Sequence, residues 1–179
     1  MNKKIYMIRH CEAKGQPPES VLTVKGHDQA GELADFFSGI QIDRIISSPF
    51  VRARQTIEPI ANRKGVSIEL DERLSERILS SKPLDDWIDI LKATYTDLEL
   101  TFEGGESSKE AMNRIVAVVA DVVDDEAENT IIVTHGNIMS LLLHYYDKNF
   151  GFEEWKKLSN PDVFLLEFTG EDCTIRRIW

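Results

Sequence analysis

The sequence predicts an α/β fold, a three-layer α/β/α sandwich with a mostly parallel central sheet. Strand-like apolar runs alternate with helix-like periodic segments along most of the chain, the order expected of βα units laid on a parallel sheet. The 179 residues, 42% hydrophobic and 29% charged, suit one domain with a single core.

Taken in order, Lys4–Ile8 is a short apolar run fit for a buried strand. Thr23 caps a helix that continues through Gln29, Ala30, Leu33, Ala34 and Phe37, close to the 3.6 period. Ile42–Ser47 reads as the next strand, ended by Ser48-Pro49, with Pro49 in the first turn of a second helix. That helix runs through Ile57, Ile60 and Ala61 and stops at Gly65, after which Val66–Leu70 is a third strand. In the less regular middle, Pro83 opens a helix carrying Trp87, Ile88 and Leu91, and Glu103-Gly104-Gly105 is a loop. From Ser107 onward, Met112, Ile115, Val116, Val119, Val122 and Val123 form the clearest amphipathic stripe. Asn129–Val133 is a β-branched strand, Gly136–Tyr146 a helix, and Val163–Phe168 with Thr174–Trp179 an antiparallel edge pair.

Thirty-one acidic against twenty-one basic residues give a formal net charge of −10, the wrong sign for a protein that coats nucleic acid. An anionic ligand must therefore be held by a local basic cluster. Cys11 and Cys173 make neither a disulfide framework nor a metal-site spacing. No apolar stretch approaches the roughly 20 residues of a membrane helix, and the N-terminal run is broken by Arg9 before it resembles a leader. The expectation is a soluble, cytoplasmic protein with no nucleic-acid or membrane partner and an oligomeric state that the sequence leaves open.

In parallel α/β sheets ligands sit beyond the carboxyl ends of the strands. Those ends carry Arg9-His10, then Ser48 to Ala53 with Arg52, then Arg73-Leu74-Ser75-Glu76-Arg77, then Thr134-His135-Gly136-Asn137. One histidine or arginine there would be an ordinary polar residue; arginines, two histidines and a carboxylate on one edge form a candidate anion site.

With these residues the chain resembles the histidine phosphatase superfamily, the group that includes cofactor-dependent phosphoglycerate mutase. Arg9-His10 resembles the family's Arg-His-Gly signature. Leu22-Thr23-x-x-Gly26-x-x-Gln29-Ala30 and Ser47-Ser48-Pro49-x-x-Arg52-Ala53-x-Gln55-Thr56 follow in the family's order. Leu74-x-Glu76, Gly104-Gly105-Glu106-Ser107 and Thr134-His135-Gly136-Asn137 complete the series. The resemblance implies a phosphoglycerate mutase-like fold and a metal-independent phosphomonoesterase that needs no cofactor. It implies His10 as the nucleophile that becomes a phosphohistidine, Arg9 and Arg52 as phosphate forks, His135 as a donor to a phosphoryl oxygen and Glu76 as general acid. Gly136 and Asn137, and more distantly Glu106 and Ser107, are candidate substrate contacts, although an N-cap role alone accounts for Ser107. The physical logic agrees: phosphoryl transfer needs positioning and charge stabilisation, and a neutral His10 is favoured by nearby guanidinium groups.

Several departures shape the reading. Cys11 replaces the family's Gly, tolerable where the backbone is extended; a redox role for the thiol is the bolder alternative to a small apolar residue. Residues 77–81 lack the Gly and Trp-Glu-Gly that commonly follow the acid, leaving Glu72 and Glu106 as fallback carboxylates. These gaps favour a hydrolase acting on small phosphorylated metabolites over a mutase or a protein phosphatase. Segment 77–106 is expected to form a small cap on a single domain spanning 1–179, with Trp87, Tyr95 and Phe102 among its larger groups. A Cys-x5-Arg phosphatase fails because Pro17 stands six after Cys11, and His27-Asp28 alone does not make an all-helical metallophosphatase. The alternative from another class is a catalytically silent member that binds a phosphorylated ligand or a partner.

Overall fold

The structure, a computed structural model, describes residues 2–179. Its elements are β1 (Asn2–Arg9), α1 (Val24–Phe36), β2 (Arg44–Ser47), α2 (Val51–Lys64), β3 (Ile68–Leu70), a single 3-10 turn (Glu72–Leu74) and α3 (Trp87–Thr94). There follow α4 (Ser108–Asp124), β4 (Asn129–Thr134), α5 (Gly136–Tyr146), α6 (Phe152–Lys156), β5 (Asp162–Thr169) and β6 (Asp172–Arg177). The strands form one sheet in the order β3-β2-β4-β1-β5-β6. The first four run parallel, and β5 and β6 add an antiparallel edge.

Strand alternation sorts the core into two layers. From β1, Ile5 and Met7 face one side, where they meet Ile115, Val119 and Val122 of α4 and Ile138, Met139 and Leu142 of α5. Tyr6 and Ile8 face the other, against Leu33 and Ala34 of α1 and Ile57 and Ile60 of α2. With helices on both faces, the sheet is the middle of an α/β/α sandwich, as expected. Truncating a buried residue such as Ile132, shared between strand and helix layers, costs about 2–5 kcal/mol in cores of this kind.

Local chemistry sets the helix starts. Thr23 Oγ1 accepts the Gly26 N–H at 2.9 Å, and Ser107 forms a reciprocal capping box with Glu110 at the head of α4. Gly26 is required by close approach, since a Cβ there would lie 2.1 Å from the Glu12 carbonyl oxygen.

Several boundaries differ from the sequence expectation; β3, for one, begins at Ile68, not Val66. β2 begins at Arg44, not Ile42. Pro49 precedes α2 instead of lying in its first turn, because Ser48 Oγ accepts the Phe50 N–H and closes a turn ahead of the helix. Within α2, Pro59 removes one i→i−4 bond without ending the helix. α3 begins at Trp87, not Pro83, since the chain before Pro83 is tied to the far end of the same segment: the Ser81 N–H and Oγ both donate to the Glu103 carbonyl. Helix α6 was not anticipated; five residues are too few to show a period, and Glu154 anchors it by accepting the Gly151 N–H. No helix among the described residues is long and apolar enough to cross a membrane.

Candidate active site

Strand order and register assemble the site. β4 lies between β2 and β1, with Thr134 level with Arg9 and Val133 level with Ser47. The next residue on each strand therefore comes to one edge: Ser48, then His135, then His10. The antiparallel β5 starts at this edge, Asp162 opposite Arg9, so the loop before it joins the same neighbourhood.

His10 is 9% exposed and held at both ring nitrogens. Nδ1 lies 2.7 Å from the Cys11 carbonyl oxygen, which can only accept, so Nδ1 carries the proton and Nε2 keeps its lone pair. The Arg52 Nε–H donates to that Nε2 at 3.2 Å. Burial, reinforced by the charges of Arg52 and Arg9 and opposed by the Cys11 hydrogen bond, pulls the imidazole pKa down to about 3. His10 is therefore neutral across the physiological range. Its carbonyl accepts from Asn160 Nδ2 at 2.8 Å.

The two arginines flank this ring. Arg52, 1% exposed, donates through Nη1 to the carbonyls of Gln16 and Pro17, and its guanidinium lies 5.1 Å from the Phe50 ring centroid. Arg9 donates to the Leu158 carbonyl at 3.1 Å, while its buried Nε has no partner. Burial lowers both guanidinium pKa values, and the Glu76 carboxylate opposes the shift in each. Arg9 lies so close to α5 that a Cβ on Gly136 would sit 2.8 Å from Arg9 Nε and 2.9 Å from Cζ. The glycine after His135 makes room for a guanidinium.

His135 is fully buried, its ring centroid 5.1 Å from that of His10. Nε2 lies 2.8 Å from Ser48 Oγ, and Nδ1 has no partner. Ser48 Oγ accepts from Phe50 and keeps both a second acceptor site and its hydroxyl hydrogen, so its contact with Nε2 is made in either tautomer of His135. Burial first, then His10 and Arg52, lowers the pKa well below its ordinary value. Donation from His135 therefore needs the right tautomer, not a second positive charge.

Glu76 turns its carboxylate to the N-terminus of α5. Oε1 accepts from the N–H groups of Arg77 and Ile138 at 2.8 and 2.9 Å, and Oε2 from Asn137 at 3.1 Å. A carboxylate has about four acceptor sites, so about one stays free. The Asn137 Oδ1 is buried and unpartnered beside it.

The structure does not bring Glu106 and Ser107 to this cluster. Glu106 grips Arg114 through both oxygens, at 2.7 and 2.9 Å, and accepts from Ile78 N. Arg114 holds its pKa down against the upward pull of burial. Ser107 is the N-cap of α4, and Glu72 is exposed on the 3-10 turn. Cys11 is fully buried against Leu22 and Ala30, and burial pushes its thiol up to about 12. Among the described residues no non-glycine has positive φ, so Cys11 occupies the family's glycine position without strain.

Two cavities meet here. One of about 120 Å³ is lined by His10, Glu12, Gly136 and Asn160 together with Arg9, Gln16 and Glu76. The other, about 490 Å³, shares Arg9, Gln16 and Glu76 and continues along Trp87, Leu91 and Trp155.

The sequence model of the histidine phosphatase superfamily (branch 1) matches residues 5–179. The chain belongs to that superfamily. Among its curated relatives is the Salmonella choleraesuis protein named "Probable phosphoglycerate mutase GpmB", 28% identical over 157 residues that cover 78% of this chain and 73% of the relative. Solved structures share the fold across nearly the whole chain. A mycobacterial glucosyl-3-phosphoglycerate phosphatase superposes with a TM-score of 0.80 at 23% identity, covering 100% of this chain and 99% of its own. Bacillus stearothermophilus YhfR gives 0.80 at 23%, covering 98% and 96%. A phosphoglycerate mutase from Bacillus anthracis gives 0.79 at 16%, covering 99% and 92%.

The site of this superfamily member also draws on residues that sequence reasoning did not nominate. Thr56 Oγ1 accepts the Cys11 N–H at 2.9 Å and donates to the Arg52 carbonyl, linking the His10 loop to α2. Thr56 stood within a quoted motif, so its signal was present. Asn160 and Asp162 gave none locally; only the antiparallel placement of β5 brings them in. Arg77 is buried and donates to Thr94 Oγ1, Ser108 Oγ and the Glu106 carbonyl, its Nε left unpartnered. Glu12 borders the smaller cavity but is engaged with Thr23 and Lys25.

Proposed function

We propose that the protein is a phosphomonoester hydrolase that works through a phosphohistidine on His10, acting on small phosphorylated metabolites. The observation that carries this reading is the pinned tautomer of His10. A ring with Nδ1–H given to a backbone carbonyl, neutral at physiological pH, keeps its lone pair on Nε2 with nothing to deprotonate, and it attacks once the Arg52 Nε–H resting on it turns to the phosphate.

In the first half-reaction Nε2 attacks phosphorus, the bond to the alcohol oxygen breaks, and that oxygen takes a proton from Glu76. In the second, water attacks the phosphohistidine and gives its proton to Glu76. The N–P bond then breaks, returning neutral His10 and inorganic phosphate. Arg9 and Arg52 hold the equatorial oxygens, and His135, in the tautomer with its hydrogen on the unpartnered Nδ1, donates to one of them. Glu76 is preferred over Glu72 and Glu106 because it is the one of the three that lines both cavities, with an acceptor site left for the travelling proton. Gly136 admits Arg9, and the Asn137 amide is a further contact to the ligand. Segment 77–106 acts as the cap, contributing Leu79, Trp87 and Leu91 to the larger cavity. Hydrolysis is favoured over mutase chemistry because the space beside the histidine, about 490 Å³ and walled in part by Leu79, Trp87, Leu91 and Trp155, leaves ample room for water.

A silent, ligand-binding role draws on Glu76, whose carboxylate is already engaged by three backbone amides. One experiment separates the readings: hydrolysis of p-nitrophenyl phosphate and a panel of phosphometabolites in excess chelator, with acid-quenched samples probed for phosphoenzyme. Chelator-resistant turnover and an acid-labile phosphoenzyme, both absent in His10→Ala, are the expected result. Phosphate binding with neither selects the silent role, and conversion between phosphoglycerate isomers selects a mutase.

A further inference from the structure

The larger cavity identifies the kind of organic group that the phosphate is attached to. We propose that this space is a subsite for a bulky aromatic or otherwise apolar alcohol, so that the preferred substrates are monophosphates of such alcohols and not compact polyols or polyphosphates; this rests on the hydrolase reading above.

Three observations carry it. First, the space is contiguous with the chemistry: its floor, Arg9, Gln16 and Glu76, is also the wall of the cavity over His10. A phosphoryl group held at His10 would send its ester oxygen past Glu76 into it. At about 490 Å³ it falls in the range of about 300–1,000 Å³ typical of small-molecule pockets.

Second, Leu79, Trp87, Leu91 and Trp155 give it an apolar side, and that side is braced. Trp155 on α6 stacks on Phe152 at 5.5 Å with an interplanar angle of 26°. Phe152 in turn meets the edge of Tyr95 at 6.0 Å, and the Tyr95 hydroxyl is bonded to Ser140 of α5 at 2.5 Å. A different element, α3, brings Trp87, which is 49% exposed, with Leu91 behind it. An exposed tryptophan at a cavity mouth has area that an aromatic group can cover. Ile78 and Ile88, on the same segment, are exposed large apolar residues as well.

Third, beyond Arg9 the cavity holds one cation for a second phosphate, Arg77, and most of its donors are committed to the protein. Arg77, which lines the cavity, has three of its five N–H groups directed to Thr94, Ser108 and the Glu106 carbonyl, leaving one on Nη2 and the buried Nε–H. Lys82 is paired outward with Glu103, and the approach to α3 carries exposed Asp85, Asp86 and Asp89. These carboxylates would repel a polyanion and are indifferent to an uncharged ring.

The test separates binding from turnover. Naphthylmethylphosphonate and methylphosphonate, whose C–P bonds cannot be hydrolysed, are titrated against the whole protein by calorimetry. In parallel, kcat/KM is measured for naphthylethyl phosphate, ethyl phosphate and glycerol phosphate, whose leaving alcohols have similar acidity. The aryl phosphonate is expected to bind about 10-fold tighter or better, and the naphthyl ester to lead by a similar ratio. Both ratios should fall several-fold in Trp87→Ala or Trp155→Ala and stay unchanged in Trp179→Ala, which lies against Phe36 of α1. Equal affinity for the two phosphonates, or an aryl preference that survives both tryptophan variants, overturns the proposal. If no ester is hydrolysed, the hydrolase reading fails by itself, and the phosphonate comparison still decides the subsite.

Discussion

The small cavity over His10 and the larger space beside it meet at Arg9, Gln16 and Glu76, yet their remaining walls come from different parts of the chain. The first is lined chiefly by residues that follow β1 and β4 and is backed by Ser48 and Arg52 after β2, so the register of a parallel sheet sets where its key side chains stand. Its polar groups point at one another and hold each other: Cys11 to His10, Arg52 to His10, Ser48 to His135. The second is walled by α3 and α6, of eight and five residues, and by the loop after β3. Sheet-edge geometry tolerates little change, whereas connecting segments can be altered without disturbing strand register. Chemistry should therefore reside in the first region and choice of alcohol in the second.

The sharpest way to break that division is to remove the nucleophile. His10→Ala is expected to lower kcat by at least about 10³-fold for every ester alike, with loss of the phosphoenzyme, since no other group can take its place. Phosphate binding should persist through the arginines. An effect that depended strongly on the alcohol would place the chemistry partly in the larger cavity and undo the comparison.

Next in size is Gly136→Ala. The new methyl would lie within 3.1 Å of Nε, Cζ and Nη2 of Arg9, all at the end of a flexible side chain. The fold can yield by moving the guanidinium, so thermal stability should barely change while activity falls about 10²-fold, the usual effect of about 1 Å of misplacement at a reacting centre. Unaltered kcat/KM in a well-folded Gly136→Ala protein would show that Arg9 does not hold the phosphate.

How far each region could be seen in the sequence follows the same division. Arg9, His10 and His135 are legible because they close apolar strand runs where α/β sheets bind ligands, and Arg52 because it stands in the motif that follows the second strand; the structure draws them together. Gly26 and Gly136 were legible as motif positions, but the Glu12 carbonyl and the Arg9 guanidinium that demand them were not. Asn160 and Asp162 were invisible because they reach the site through an antiparallel pairing between the two ends of the chain. Trp155 was missed because a five-residue helix shows no period. Glu106 and Ser107 illustrate the opposite limit: a motif position whose side chains serve Arg114 and a helix start.

A pH measurement sharpens the picture of the first region. The folded-state pKa of His10, about 3, lies below the 6.5 of a free imidazole. Between those values the unfolded chain binds a proton that the folded chain refuses, so stability is full above about pH 6.5 and falls as the pH drops toward 3. At about pH 5 the loss amounts to about 2 kcal/mol for one such histidine. His135 shifts in the same direction and adds to the slope. Urea midpoints at about pH 8 and about pH 5 should therefore separate more for the wild type than for His10→Gln, whose side chain does not titrate. Equal separations would mean that folding leaves the His10 pKa near its ordinary 6.5, so that burial does not hold the ring neutral at lower pH.

The smallest expected effect is none at all, and it concerns the one residue in the signature that departs from the family. Cys11 adjoins the nucleophile, and oxidation there could in principle silence it. A thiol attacks peroxide as its thiolate, and this one is fully buried with its pKa raised to about 12. Mild peroxide should leave turnover unchanged. A thiol reagent applied to the native protein should label Cys173, which is partly exposed, before Cys11, and denaturation should be needed to reach the second. Loss of activity to peroxide in the wild type that is absent in Cys11→Ser would show that the loop opens far more often than its packing against Leu22 and Ala30 allows. The rigidity assigned to the phosphate end of the site would then be lost with it.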